Sequence, residues 1–173
     1  MPRKSIADMP DEARVWVFGL DRSLEPAEEA DVRGEVEGFL DQWQAHGHPL
    51  TCACEWRYDR FLIVAVDERT APPSGCSIDA MVGTLRSLGG RLGFNMIDNS
   101  PVWYRDGSDH VRRVSRSAFG AAVQSGEVGG GTVVFDNTVT RLRQVRSGRW
   151  EANARDSWHA KAFRLEESVE QTG

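Results

Sequence analysis

The sequence predicts an α+β protein: a ferredoxin-like βαββαβ sandwich over residues 13–100, followed by a small β-rich module with one short helix over 101–160. Three observations lead there. Two stretches repeat apolar residues at helical spacing, and each follows a strand-like apolar run. Between the two helical stretches lie two strand patterns joined only by a tight turn around Asp59, which is a hairpin. The resulting order, β-α-β-β-α-β with short connections, is that of two helices packed on one face of an antiparallel sheet. Beyond residue 100 the pattern changes to short β-rich runs broken by Asp-Gly and Gly-Gly-Gly signals.

The elements follow in order. Residues 1–12 are polar and read as a flexible tail. "ARVWVFGL" is rich in β-branched and aromatic residues and reads as a buried strand. "DRSLEP" turns the chain, and Pro26 suits the first turn of a helix, where its missing N–H is not needed. Glu28, Glu29 and Asp31 place negative charge at the positive end of that helix. Val32, Val36, Phe39, Leu40 and Trp43 form its apolar stripe, and it stops at "HGHP", where Gly47 suits a left-handed cap. "LTCACEWRY" and "RFLIVAVD" form the hairpin. Cys52, Cys54, Trp56 and Tyr58 share one face of its first strand. Its second strand is almost wholly apolar, which places it in the middle of the sheet. "ERTAPPSG" is a polar loop. From Ser77, the residues Ile78, Met81, Val82, Leu85, Leu88 and Leu92 keep helical spacing, with Gly89 and Gly90 weakening the end. "FNMID" or "PVWYR" would supply the fourth strand.

In the second module, "VWYRDGSDHVRRVS" reads as a hairpin about Asp106-Gly107. Ser115 can cap a short helix carrying Phe119, Ala122 and Val123. "TVVFDNTVT" and "GRWEANARDSWH" supply further strands. The hairpin–helix–strand order resembles small GYF-like modules. Residues 161–173 read as a C-terminal tail.

Composition narrows the function classes. The chain has 173 residues, 40% hydrophobic and 27% charged, with a net charge of -5. That is enough for one core or two small ones, in a soluble protein. It argues against general binding to nucleic acid, which calls for a basic face. Arg141, Arg143, Arg146 and Arg149 cluster late in the chain and read as a solvated hairpin. No apolar run approaches the roughly 18 residues of a membrane helix, and the first residues lack a signal core. Three cysteines without an export signal read as reduced thiols in the cytoplasm.

The pieces "RVWVF", "FLDQWQAHG", "VDE", "SGCSID", "YRDG", "VFDN" and "DSWH", spread from Arg14 to His159, resemble an uncharacterised family of small bacterial proteins. Its members are often labelled ABC transporter ATPases. "SGCSID" and "SWH" are the most specific pieces. The label implies a Walker A loop, G-x-x-x-x-G-K-[ST], whose N–H groups and lysine hold phosphates. The sequence contains no such run. Its only lysines, Lys4 and Lys161, follow no glycine-rich loop. "SLGGRLGF" is glycine-rich but follows a helix rather than a strand. The chain departs from the family pattern at "VFDN", with Asp136 where the pattern has asparagine.

Two functional readings stand. Cys76 lies near a helix start, where the dipole and free N–H groups favour thiolate. Gly75 would let the backbone turn tightly, Ser77 would cap the helix, and Asp79 would lie in its first turn. His159 is the candidate base and Asp156 its orienting group, making Cys76, His159 and Asp156 the candidate catalytic set. The plainer reading makes Cys76 a small buried residue at a loop-to-helix junction. Candidate ligand contacts are Ser74, Gly75, Ser77, Asp79, Asn137 and Trp158. The carboxylates Asp67, Glu68, Asp79 and Asp98 could gather near Cys76 or lie solvated. "HGHPLTCAC" brings His46, His48, Cys52 and Cys54 close in sequence, yet that strand face reads as core and paired C-x-x-C knuckles are absent, so no metal and no cofactor is assigned. Of the six tryptophans, Trp103, Trp150 and Trp158 fall in the second module and could line a groove. The preferred function is a non-catalytic protein that binds a protein or small ligand, by analogy of fold. The alternative is a thiol-dependent enzyme or redox protein using Cys76 with His159.

Overall fold

Six consecutive apolar residues, "FLIVAV", organise the first half of the chain. In the computed structural model, which describes residues 4–165, they form β5 (Phe61–Val66), and all six are buried. β5 pairs antiparallel with β1 (Arg14–Gly19), from Arg14 opposite Val66 to Gly19 opposite Phe61. On its other edge it pairs antiparallel with β4 (Cys52–Arg57), from Cys52 opposite Val66 to Arg57 opposite Phe61. The sheet order is therefore β1-β5-β4. A strand flanked on both edges and buried on both faces has no use for polar side chains, which is why this run lacks the usual alternation.

Two helices complete this unit. α1 (Pro26–Asp41) starts with Pro26 and a capping box in which the Glu25 N–H donates to Glu28 Oε1 at 2.8 Å. α2 (Gly75–Leu92) has 18 residues. Val32, Val36 and Leu40 of α1 and Met81, Leu85 and Leu88 of α2 share one core with Phe18, Cys52, Leu62, Val64 and Val66 of the strands. A two-residue ribbon, β2 (Gln44–Ala45) and β3 (His48–Pro49), lies between α1 and β4.

Three expectations are corrected here. The fourth strand from "FNMID" does not form. The Asn95 side chain accepts the N–H groups of Ile97 and Asp98 at 2.9 and 3.2 Å, a local turn that competes with strand pairing. "PVWYR" does become a strand, but in the other unit. The start of β1 is met instead by residues 140–142. The Val15 N–H donates to Thr140 O at 2.9 Å, and the Leu142 N–H donates to Ala13 O at 2.9 Å. Residues 4–12 are not a loose tail: Ile6–Asp8 form a 3-10 turn, Met9 is buried, and the Lys4 N–H donates to Cys52 O at 2.7 Å on the edge of β4. Residues 1–3 and 166–173 of the expected tails lie outside the described residues.

The described chain divides at 98/99 into two units, with residues 140–143 returning to the first. The second unit contains β6 (Val102–Arg105), β7 (Val111–Val114), α3 (Arg116–Gln124), β8 (Val133–Phe135), most of α4 (Leu142–Arg146), β9 (Glu151–Asn153) and α5 (His159–Ala162). Its sheet is antiparallel throughout, in the order β7-β6-β8-β9. The β6–β7 turn is organised by Asp106 Oδ1, which accepts from Ser108 and His110, with Asp109 left-handed at φ 65°. Ser115 caps α3 by accepting from the Ala118 N–H. Val102, Tyr104, Phe119, Val134, Ala160 and Leu165 belong to its core. "GRWEANARDSWH" is a strand only over its Glu151–Asn153 part; a 3-10 turn, Ala154–Asp156, and then α5 follow. The protein is thus mixed α+β with several antiparallel sheets. Among the described residues no helix is long and apolar enough to cross a membrane.

The two glycines near the end of α2 differ in kind. A Cβ on Gly89 would stand 2.3 Å from the Phe94 carbonyl oxygen, whereas a Cβ on Gly90 meets nothing within 4 Å. The chain reverses over Gly89, whose carbonyl accepts from both Gly93 and Phe94. Gly89→Ala is expected to lower stability by about 2 kcal/mol or more, because backbone must move. Gly90→Ala, exposed within the helix, is expected to raise it by about 0.5–1 kcal/mol. Urea unfolding of both variants checks this, and effects of the same sign would refute it.

Candidate functional site

The "SGCSID" junction is the start of α2. Ser74 Oγ accepts the Ser77 N–H at 3.1 Å, and the Ser74 N–H donates to Ser77 Oγ at 2.7 Å, a reciprocal capping box. The Ser77 hydroxyl donates to Ser74 O, and Ser77 O accepts the Trp43 indole N–H at 2.8 Å. Both serines are therefore occupied by the helix, and Ser77 is buried. Gly75 is not at a left-handed position and has open space around it, so no tight turn depends on it. Asp79 is exposed and lies beyond the first turn, which holds no acidic residue. Cys76, the second residue of α2, is exposed and makes no hydrogen bond among the described residues. Its expected neighbours have other partners. Asp67 is held by Arg69 through a two-point pair at 2.9 and 2.8 Å, which keeps its carboxyl below the usual range. Glu68 accepts from Arg141 at 3.0 Å.

The remaining cysteines are structural. Cys52 is buried and its thiol donates to Leu40 O; Cys54 is half-buried against the same core. Among the described residues no three His, Cys, Asp or Glu side chains gather to hold a metal.

The second unit contains the other two motifs. β8 ends at Phe135, and the Asp136 N–H donates to Trp150 O at 2.7 Å. Asp136 Oδ1 accepts the N–H and the hydroxyl of Thr138, which turns the chain. Asn137 Oδ1 accepts the buried Trp150 indole N–H at 2.9 Å. "DSWH" turns into α5 and buries His159 completely. Its ring stacks on Trp158 with centroids 3.9 Å apart and meets the edge of Phe119 at 5.8 Å. Ser157 Oγ lies 2.9 Å from Nδ1. Burial pushes the imidazole down to about 4; Asp136 pulls the other way and Arg116 adds to the lowering. His159 is therefore neutral at pH 7. The Arg116 guanidinium sits 5.0 Å from the Trp158 ring centroid, within cation–π range.

Three polar atoms here are buried without a partner among the described residues: His159 Nε2, Trp158 Nε1 and Asn137 Nδ2. They come from "VFDN" and "DSWH", which are linked through the charge of Asp136 on His159.

Cys76 thus belongs to the first unit and His159 to the second. Asp156 is exposed, and the group at Nδ1 is Ser157 instead. Sequence reasoning missed Ser157, Asp136 and Arg116. Asp136 stood out in the sequence only as an acidic residue in "VFDN"; nothing marked Arg116, nine residues after the hairpin turn. Hollows lie elsewhere: one of about 300 Å³ beside Leu85, Phe94 and Met96, and an open one of about 650 Å³ beside Arg149, Glu151, Asn153 and Asp156.

A scan against protein-family models, a search of curated proteins and a search of solved structures each return no match.

The three thiols should separate in a limited alkylation of the folded protein. Mass spectrometry is expected to find Cys76 labelled first, Cys54 later and Cys52 only on unfolding, because access follows exposure. Early labelling of Cys52 would contradict the packing of β4.

Proposed function

We propose that the protein is a non-catalytic binding protein, with its ligand locus in the second unit around Asn137, Trp158 and His159. The observation that carries this reading is the set of three buried polar atoms without partners in two short motifs. Leaving a buried donor or acceptor unmade costs about 1–3 kcal/mol, so a fold that keeps three holds hydrogen-bonding capacity for something other than itself.

The first unit is read as a ferredoxin-like sandwich in which residues 140–142 stand where the fourth strand would begin. The order β1-β5-β4 and a core shared with both helices support this. A cytoplasmic location is part of the same reading, supported by three free cysteines. ATP hydrolysis is not, because the sequence has no phosphate-binding loop of the Walker type.

His159→Leu tests the reading. It removes the unpartnered Nε2 along with the Nδ1 contact to Ser157, so stability at pH 7 is expected to hold or rise by about 1 kcal/mol. A loss above about 2 kcal/mol would mean that the imidazole serves the fold, and would end the proposal. Thermal-shift screening of both proteins against small carboxylates and amides then reads binding: a true ligand raises the Tm of the native protein and not of the variant.

A second reading, thiol chemistry at Cys76, has one observation in its favour. Cys76 is exposed at the second position of an 18-residue helix. Its alkylation rate against pH decides it. A midpoint well below the ~8.5 of an ordinary thiol supports the chemistry, and an unchanged profile in His159→Leu removes His159 from it.

A further inference from the structure

We propose that residues 157–165 of the second unit form an acid-released latch with His159 as its trigger. This inference does not depend on a ligand occupying the site.

The latch is held by burial and by short-range backbone hydrogen bonds such as Ala162 N–H to Trp158 O and Phe163 N–H to His159 O. α5 has only four residues, yet Ala160 and Leu165 lie in the core with Phe119, and Trp158 and Phe163 pack against it. The His159 ring stacks on Trp158, meets the edge of Phe119, and faces Phe163 with centroids 6.4 Å apart. The proposal requires that this segment open without global unfolding, which hydrogen exchange reads directly.

Protonation would place a charge and a second N–H in this enclosure. Nε2 has no partner to receive it, and Nδ1 has only the Ser157 hydroxyl. The charged groups acting on the ring do not resolve the conflict. Arg116 of α3, over Trp158, repels an imidazolium. Asp136, after β8, attracts it, but its Oδ1 already accepts from Thr138. On the latch itself Lys161 and Arg164 are cationic and exposed, Asp156 just before it is exposed, and Tyr104 of β6 packs against Phe119 rather than offering a charge. Releasing the latch lets the imidazolium reach water.

The sign follows from burial. The closed form binds the proton only near pH 4, whereas a freed imidazole binds it near 6.5. Closure is therefore fully favoured above about pH 6.5 and is lost progressively as pH falls toward 4. The open-to-closed ratio rises at most roughly 300-fold over that window, the gap of 2.5 between the two values taken as a power of ten.

Hydrogen exchange of the full chain between pH 7.5 and 4.5, corrected for the intrinsic rate, tests the latch. Peptides covering 157–165 are expected to lose protection below about pH 6 while those from β5 keep theirs. His159→Leu is expected to keep the latch protected at pH 5. Arg116→Gln, which removes the repelling charge, is expected to narrow the response. Equal protection of 157–165 at both ends of the range overturns the proposal, as does a His159→Leu protein that opens like the native one. Should that variant not fold, the His159 ring signals of the native protein decide: a midpoint below 5 in the closed form supports the latch, and one near 6.5 with the latch still protected overturns it.

Discussion

The first unit depends on enclosing β5 on both edges and both faces. Its six residues contribute no charge and no side-chain hydrogen bond, so they can occupy only the middle of a sheet. Once β5 is central, the registers with β1 and β4 place Phe18 and Cys52 on the same side as Leu62, Val64 and Val66. That side receives the Val32–Leu40 stripe of α1 and the Met81–Leu88 stripe of α2. The position of the α2 start, and so of Cys76, is a consequence of that packing.

The chain ends its strands with short polar side chains that take over backbone partners. Asp67 follows β5 and accepts from the Arg69 N–H, while its own N–H donates to Thr51 O. Asn95 turns the chain after α2, and Asp136 turns it after β8. In each case one side chain satisfies N–H groups that a longer strand would have paired with a neighbour. The same physics explains the missing fourth strand and the short β8. At Asp136 it also places Asn137 beside the Trp150 indole, which builds one wall of the candidate locus.

Much of the second unit's chemistry comes from polar groups in an apolar enclosure. His159 is kept neutral because an imidazolium would lose its hydration among Trp158, Phe119 and Phe163. The Ser74–Ser77 junction shows the opposite condition: its side-chain polar atoms answer one another within the first turn. Two motifs of similar appearance in the sequence therefore differ in what they leave available. One spends its hydrogen bonds on a helix start, and "DSWH" leaves two atoms, Trp158 Nε1 and His159 Nε2, without a partner among the described residues.

The sequence by itself determined the elements whose signals are local. The stripe of α1, the Pro26 start, the Ser115 cap, the β4–β5 hairpin and the central place of β5 all follow from spacing and residue type, because each is decided within a few residues. The mixed α+β class follows from their order. Only the tertiary structure decided what depends on distant partners: the return of 140–142 to β1, the packing of 4–12 beside β4, and the use of Gly89 for a close backbone approach. The candidate residues divide the same way. The helix start is local and legible, although the cap is Ser74 and not the expected Ser77, which is the third helical residue and completes the capping box; the burial of His159 and its setting beside Arg116 and Asp136 depend on α3, β8 and α5 meeting. Burial is set by neighbours far along the chain, and no short stretch of sequence encodes it.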